Sequence, residues 1–202
     1  MSESTANSGL FSEALERFRA LWDEARAAEP WEADAMSLAT ADAGGRVSVR
    51  TVLLKEVSPA GFVFYTNYES RKGRDLAANP RAALCFFWRS LRRQAVIEGW
   101  VERLGGNESD AYFAIRSRRA QLGAWASAQS EPLASRAELH TRFEALEREY
   151  VGRPVPRPPH WGGYRLAPDL IEFWAPGEGR LNERERYTRS ADGAWNFGLF
   201  NP

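Results

Sequence analysis

VSVRTVLLKEVSPAGFVFYT, residues 47–66, decides the class of the fold. Its first half is rich in β-branched and apolar residues, SPAG supplies a turn, and FVFYT reads as a second strand. Strands joined by so short a turn run antiparallel. The first strand also carries Arg50 and Lys55, an odd load for a segment suited to burial. In a regular strand these two cations point to opposite faces and lie about 16 Å apart, so no single face holds both. The plain reading puts Arg50 at an exposed rim and Lys55 past the strand end, beside Glu56 or solvent.

Outward from this stretch the pattern stays consistent. MSLATA (36–41) is a strand ending at a Gly44–Gly45 turn, and before it Phe11, Leu15, Phe18, Leu21, Trp22 and Ala25 recur at helical spacing in a helix that ends before Pro30. Downstream, SRKGRDLAANP (70–80) reads as a short helix closed by Asn79 and Pro80, and ALCFFW (83–88) and RQAVIEGWVERL (93–104) as two more strands. Strands in such number without long helices between them predict a closed or nearly closed barrel, because an open sheet would leave edges to protect. Asn107 is placed to cap a helix through Tyr112 and Phe113, with further helix over QLGAWAS (121–127) and from Arg136 to Tyr150. The proline-rich VGRPVPRPPHW (151–161) is not helical, and YRLAP, IEFWAP and RERYTR follow as three short strands. The expected class is mainly β with flanking α, in one domain over residues 1–202 with residues 1–10 as a flexible end.

Lys plus Arg and Asp plus Glu number 27 each, so the formal net charge is zero and any cationic site is local. Nucleic acid is not an expected partner, and no reader motif is present. The lone Cys85, in an apolar run, excludes an internal disulfide. Neither an export signal nor a membrane-length apolar run appears, so a soluble cytoplasmic protein is expected. His140 and His160 lack metal-ligand spacing, and no metal is expected. GEGR (177–180) is too short for a dinucleotide fingerprint. Trp174, Tyr112 and Phe113, taken singly, read as core residues.

The cations nevertheless recur beside one another. Arg71 and Lys72 follow YTNYES, Gln94 sits beside Arg92 and Arg93, and Arg116, Arg118 and Arg119 follow the Tyr112 helix. A phosphate ester, with nearly two charges and three acceptor oxygens, calls for such a donor set. So many cations suit two phosphates.

RTVLLK (50–55), FYTNYESRKGR (64–74), RRQAVIEG (92–99), AYFAIRSRRAQLGAWASAQS (111–130) and WGGYRLAPDLIEFWAPGEGRLNERERY (161–187) resemble, in order and spacing, the pyridoxamine 5'-phosphate oxidases. The resemblance implies an FMN-binding split β-barrel, antiparallel and of Greek-key type, in a homodimer with FMN at the subunit interface. It implies oxidation of pyridoxine or pyridoxamine 5'-phosphate to pyridoxal 5'-phosphate, with oxygen as electron acceptor. Position by position it implies an FMN site of Arg50, Thr51, Val52, Leu53, Leu54, Lys55, Tyr65, Thr66, Arg71, Lys72, Gln94, Gln129, Ser130, Trp174 and Arg184. The phosphorylated pyridine substrate would meet Lys55, Tyr112, Arg116, Ala120, Arg180, Leu181 and Asn182, with Arg180 and Asn182 in the catalytic positions. On this reading Arg50 serves the cofactor and Lys55 the substrate, from opposite faces of one strand.

Two positions depart from the family pattern. Ala120 stands where a clamp serine is usual, which removes a hydroxyl donor that Arg119 would have to replace. Asn182 stands where a substrate-side histidine is usual, and an amide cannot carry imidazole's proton. A same-fold oxidase acting on another reduced ring, of the phenazine-biosynthesis type, and a non-catalytic flavin carrier are the alternatives.

Overall fold

In the computed structural model, residues 3–29 and 32–202 are described, with side chains from Gly9 onward. Residues 1 and 2 and the first side chains of the expected flexible end thus lie outside the described residues, while Leu10 packs partly buried against the core. Helix α1 (Glu3–Ala28) precedes strands β1 (Ala35–Ala41), β2 (Val47–Leu53), β3 (Glu56–Ser58) and β4 (Gly61–Asn67). Then come α2 (Arg71–Ala78), β5 (Arg81–Trp88), β6 (Arg93–Arg103) and the helices α3 (Gly106–Ile115), α4 (Arg118–Ala126) and α5 (Arg136–Glu149). Strands β7 (Trp161–Ala175), β8 (Glu183–Arg189) and β9 (Trp195–Leu199) complete the order.

The antiparallel sheet runs β2-β1-β5-β6-β7-β4-β3, with β8 and then β9 added beside β7. Its two ends, β2 and β3, are halves of the single segment 47–58. Residues 47–53 pair with β1, the chain bends at Leu54 and Lys55, and residues 56–58 pair with β4. The bend is held by Leu54 N–H donating to Asp34 O (2.8 Å) and Lys55 N–H donating to Val63 O (2.8 Å). One bent strand thus links the two ends of the sheet, β2 pairing with β1 and β3 with β4.

Strand β7 corrects the expectation of two short strands, because YRLAP and IEFWAP are continuous through Pro168. Between Glu98 and Gly99 the register shifts by one residue, with Gly99 opposite Pro168 and Asp169 left as the extra residue on β7. A Cβ at Gly99 would lie 2.1 Å from Ala167 O, so glycine alone permits that approach. The start of α3 is also corrected. Gly105 is its N-cap, its N–H donating to the Glu108 carboxylate (3.3 Å), and Asn107 lies within the first turn.

The inward residues meet α1 in one apolar core. Phe18, fully buried, sets its ring edge-on to Phe62 (4.9 Å) and Phe86 (5.1 Å) and beside Trp88 (5.8 Å). A smaller cluster around Phe113, Leu122, Val155 and Trp161 holds α3, α4 and the proline segment against the sheet. Among the described residues no helix is long and apolar enough to cross a membrane.

Candidate functional site

Between the outer face of β2, the end of β4, the start of α2 and the α3–α4 layer lies a cavity of about 920 Å³. Among the described residues five cations line it, Arg50, Lys55, Arg71, Lys72 and Arg116, and no carboxylate does. Such a surface is built for anions.

Each cation has a local cause. Arg50, on β2, donates to Leu38 O (3.0 Å), Thr40 Oγ1 (2.8 Å) and Ser48 Oγ, which fixes its guanidinium at the cavity edge. Burial holds its pKa below the ordinary arginine value, against the pull of Asp75. Lys72 is 7% exposed and, among the described residues, bonds only neutral oxygens, Gln129 Oε1 at 2.6 Å and Ser70 Oγ at 3.0 Å. Burial, then the nearby Arg50 charge, lowers its pKa to about 8. A buried ammonium without a counter-ion is costly, and it marks where an anionic ligand belongs. Arg116 is similar. Its Cζ lies 4.5 Å over the Trp161 ring, and its Nη1 is buried without a hydrogen-bond partner. Lys55 stands 4.0 Å from Asp34 at the bend of the strand.

Tyr65 and Tyr112 stack beside these cations at 3.9 Å, and Trp161 lies nearly parallel to both. Burial first, and neighbouring acidic groups next, push the Tyr65 hydroxyl up to about 12; burial likewise raises Tyr112. Both phenols therefore stay neutral donors at ordinary pH. Thr66 Oγ1 donates to Gln129 Oε1 (3.3 Å), tying the end of β4 to the segment after α4.

Of the residues expected from the sequence, Arg50, Thr51, Val52, Leu53, Lys55, Tyr65, Thr66, Arg71, Lys72, Tyr112, Arg116, Ala120, Gln129 and Ser130 line this one cavity. Arg50 and Lys55 thus face a single space, because the bend at Leu54 interrupts the alternation that sent them to opposite faces. Leu54 points into the core, fully buried. Arg118 and Arg119 belong elsewhere: Arg118 donates to the carbonyls of Arg153 and Tyr150, and Arg119 lies over Phe143. Arg119 therefore does not replace the hydroxyl absent at Ala120.

The remaining expected residues form a second group on β6, β7, β8 and the β7–β8 connection. Gln94, Trp174 and Arg184 are consecutive partners across three strands. Arg184 and Arg186 share the buried Glu172 carboxylate, at 2.9 Å and 2.6 Å. Arg180 stands in the connection at φ +67° beside Gly179 at +63°. Asn182 closes that connection, its Oδ1 accepting from Gly177 N–H (3.2 Å), and Leu181 next to it is exposed. None of these residues lines the cavity of its own chain.

Trp161 and Ser48 line the cavity without having been foreseen. For Trp161 a signal existed in the following glycine pair. A Cβ on Gly162 would lie 2.1 Å from the Tyr68 hydroxyl, which marks a crowded, shaped surface.

Residues 21–149 match the family model "Pyridoxamine 5'-phosphate oxidase", and residues 161–202 match "Pyridoxine 5'-phosphate oxidase C-terminal dimerisation region". A pyridoxine/pyridoxamine 5'-phosphate oxidase of Myxococcus xanthus (strain DK1622) is 51% identical, over 93% of this chain and 91% of the relative. One from Xanthomonas oryzae pv. oryzae is 50% identical, over 96% of this chain and 98% of the relative. Among solved structures, PhzG from Burkholderia lata 383 in complex with tetrahydrophenazine-1-carboxylic acid is 36% identical, covering 93% of this chain and 90% of its own, with a TM-score of 0.84.

Proposed function

Because the chain belongs to the pyridoxamine 5'-phosphate oxidase family, we propose that it is an FMN-dependent oxidase converting pyridoxine or pyridoxamine 5'-phosphate to pyridoxal 5'-phosphate. The carrying observation is the cavity of five cations and no carboxylate, in a chain half identical to oxidases of that name over nearly its whole length. FMN, when bound, supplies the two-electron acceptor and the route to oxygen, with hydrogen peroxide as product. The residues fit that group, since the buried Lys72 has no acid of its own and Arg50 and Arg71 line the same cavity.

The protein's part is positioning. Arg50, Arg71 and Lys72 hold the flavin phosphate. Lys55, Tyr112 and Arg116, whose Nη1 awaits an acceptor, hold the substrate phosphate, so that the reacting carbon of the pyridine stays against the flavin ring. Trp161 supports Arg116 from beneath.

The second residue group is assigned to a partner subunit's site. It lies in the part of the chain that matches a dimerisation region, apart from Gln94, and outside its own cavity. Val47, Val49, Leu53 and Phe87 are large apolar side chains left exposed on β2 and β5, a surface suited to a second copy. In the homodimer Trp174, Arg184 and Gln94 complete the partner's flavin pocket, and Arg180 covers its substrate. A cytoplasmic setting suits the lone, half-buried Cys85.

The test is to purify the protein, verify bound flavin by its yellow colour, and add pyridoxamine 5'-phosphate without oxygen. Rapid bleaching is the expected result, and a flavin that stays oxidised refutes the substrate. The second reading, oxidation of a reduced tricyclic ring, draws on the similarity to PhzG and on Ala120 and Asn182. It predicts bleaching by such a ring and not by pyridoxamine 5'-phosphate.

A further inference from the structure

Asp75 is an acid beside an anion site, which by charge alone would weaken that site. It lies on α2, one turn beyond Arg71 and Lys72, 6% exposed and outside the cavity lining. A single oxygen, Oδ2, accepts from Thr40 Oγ1 (2.7 Å) and from Ser48 Oγ (3.0 Å). The same two hydroxyls accept from Arg50, Thr40 from Nη1 (2.8 Å) and Ser48 from Nη2, and Arg50 Nη2 lies 3.8 Å from Asp75 Oδ2. Each hydroxyl has one proton: donating it to Asp75, rather than to the other hydroxyl 3.4 Å away, leaves its lone pairs aimed at the guanidinium. Burial alone would raise the Asp75 pKa, yet the two hydroxyl bonds and the Arg50 and Arg71 charges outweigh it and hold the group below its ordinary value, ionised.

We propose that Asp75 is a positioning residue for flavin binding, acting through the Thr40 and Ser48 hydroxyls to hold Arg50 at the cavity edge. This rests on the FMN reading above. The carboxylate joins α2, which carries Arg71 and Lys72, to the β1–β2 pair, which carries Arg50, so the donors of one anion site keep their relative places. Without it the hydroxyls are free to rotate and donate elsewhere, and Arg50 keeps only the Leu38 carbonyl as a fixed acceptor.

The sign of the effect separates positioning from bulk electrostatics. Removing a negative charge near a cationic cavity should tighten an anionic ligand, whereas losing the orientation of Arg50 should loosen it. The experiment titrates FMN into the flavin-free protein, following quenching of flavin fluorescence, for wild type, Asp75→Ala and Thr40→Val, each also combined with Arg50→Ala. Asp75→Ala should raise the FMN Kd about tenfold, Thr40→Val about threefold, and either should change it less than twofold once Arg50 is alanine. Asp75→Asn, whose Oδ1 can still accept from both hydroxyls, should stay within about threefold of wild type. An Asp75→Ala protein that binds FMN as tightly as wild type or tighter overturns the proposal, as does a loss that persists undiminished in the Arg50→Ala background. If Asp75→Ala does not fold, the Thr40→Val pair decides on the same terms. Wild-type protein that fails to bind FMN would instead refute the underlying functional reading.

Discussion

Lys72 makes flavin affinity depend on pH in a window where few other groups titrate. In the free protein its pKa is lowered to about 8. The FMN phosphate, with a second pKa near 6, is a dianion throughout pH 7 to 9. Binding needs the ammonium, so affinity should follow the protonated fraction, which is roughly 0.9 at pH 7 and 0.09 at pH 9 for a group of pKa about 8. The FMN Kd should therefore rise about tenfold over those two units. Tyr65, pushed up to about 12, does not change charge there. The stability of the flavin-free protein moves the other way. The folded-state pKa is depressed below the ordinary lysine value, so between about 8 and 10.5 the unfolded chain binds the proton and the folded one does not. This group's contribution to stability thus rises with pH across that interval, is complete above it, and is lost as pH falls through 8. Fluorescence titrations at pH 7, 8 and 9, alongside thermal melts of the flavin-free protein, measure both. In Lys72→Arg the pH slope of the Kd should vanish, since the guanidinium stays charged. A flat wild-type profile, or an equal slope in Lys72→Arg, would refute the reasoning.

Ala120→Ser restores a hydroxyl at the cavity wall, and the KM for the phosphorylated substrate should fall about tenfold if the new donor reaches the phosphate, with FMN affinity unchanged. Arg180→Ala should leave the FMN Kd within about twofold and lower kcat on the order of a hundredfold, because this side chain is assigned to cover the substrate in the partner subunit's site and not to hold the flavin. Phe18→Ala empties the centre of the aromatic cluster and should cost about 3 to 5 kcal/mol, read as a fall in Tm of roughly 6 to 20 °C.

Strand character, the two glycine- and proline-bearing turns and the amphipathic spacing of Phe11 to Ala25 were readable because each is a local pattern. What escaped depended on the chain's geometry at single bonds. Strict alternation put Arg50 and Lys55 on opposite faces; the bend at Leu54, which links the two ends of the sheet, brings both to one cavity and turns Leu54 inward. Pro168 read as a strand end, and a one-residue register shift carries β7 past it. Asp75 sits among charged residues in a short helix, where an acid ordinarily faces solvent, and nothing local distinguishes it from one. Trp161 lies far along the chain from Arg116, and only folding lays one over the other. The resemblance named the second residue group as a set, and the sequence held no sign that it lies apart from its own chain's cavity.

A purified heterodimer tests the two-subunit site most directly. One chain carries Arg71→Ala and Lys72→Ala and the other Arg180→Ala, each with its own affinity tag so that only mixed pairs are retained. If the cavity of one subunit works with the β7–β8 connection of its partner, one site in the pair is wholly wild type, and the heterodimer should show about half the wild-type turnover while both mutant homodimers are nearly inactive. A heterodimer no more active than the mutant homodimers would mean that cavity and connection serve the same chain, contradicting the account.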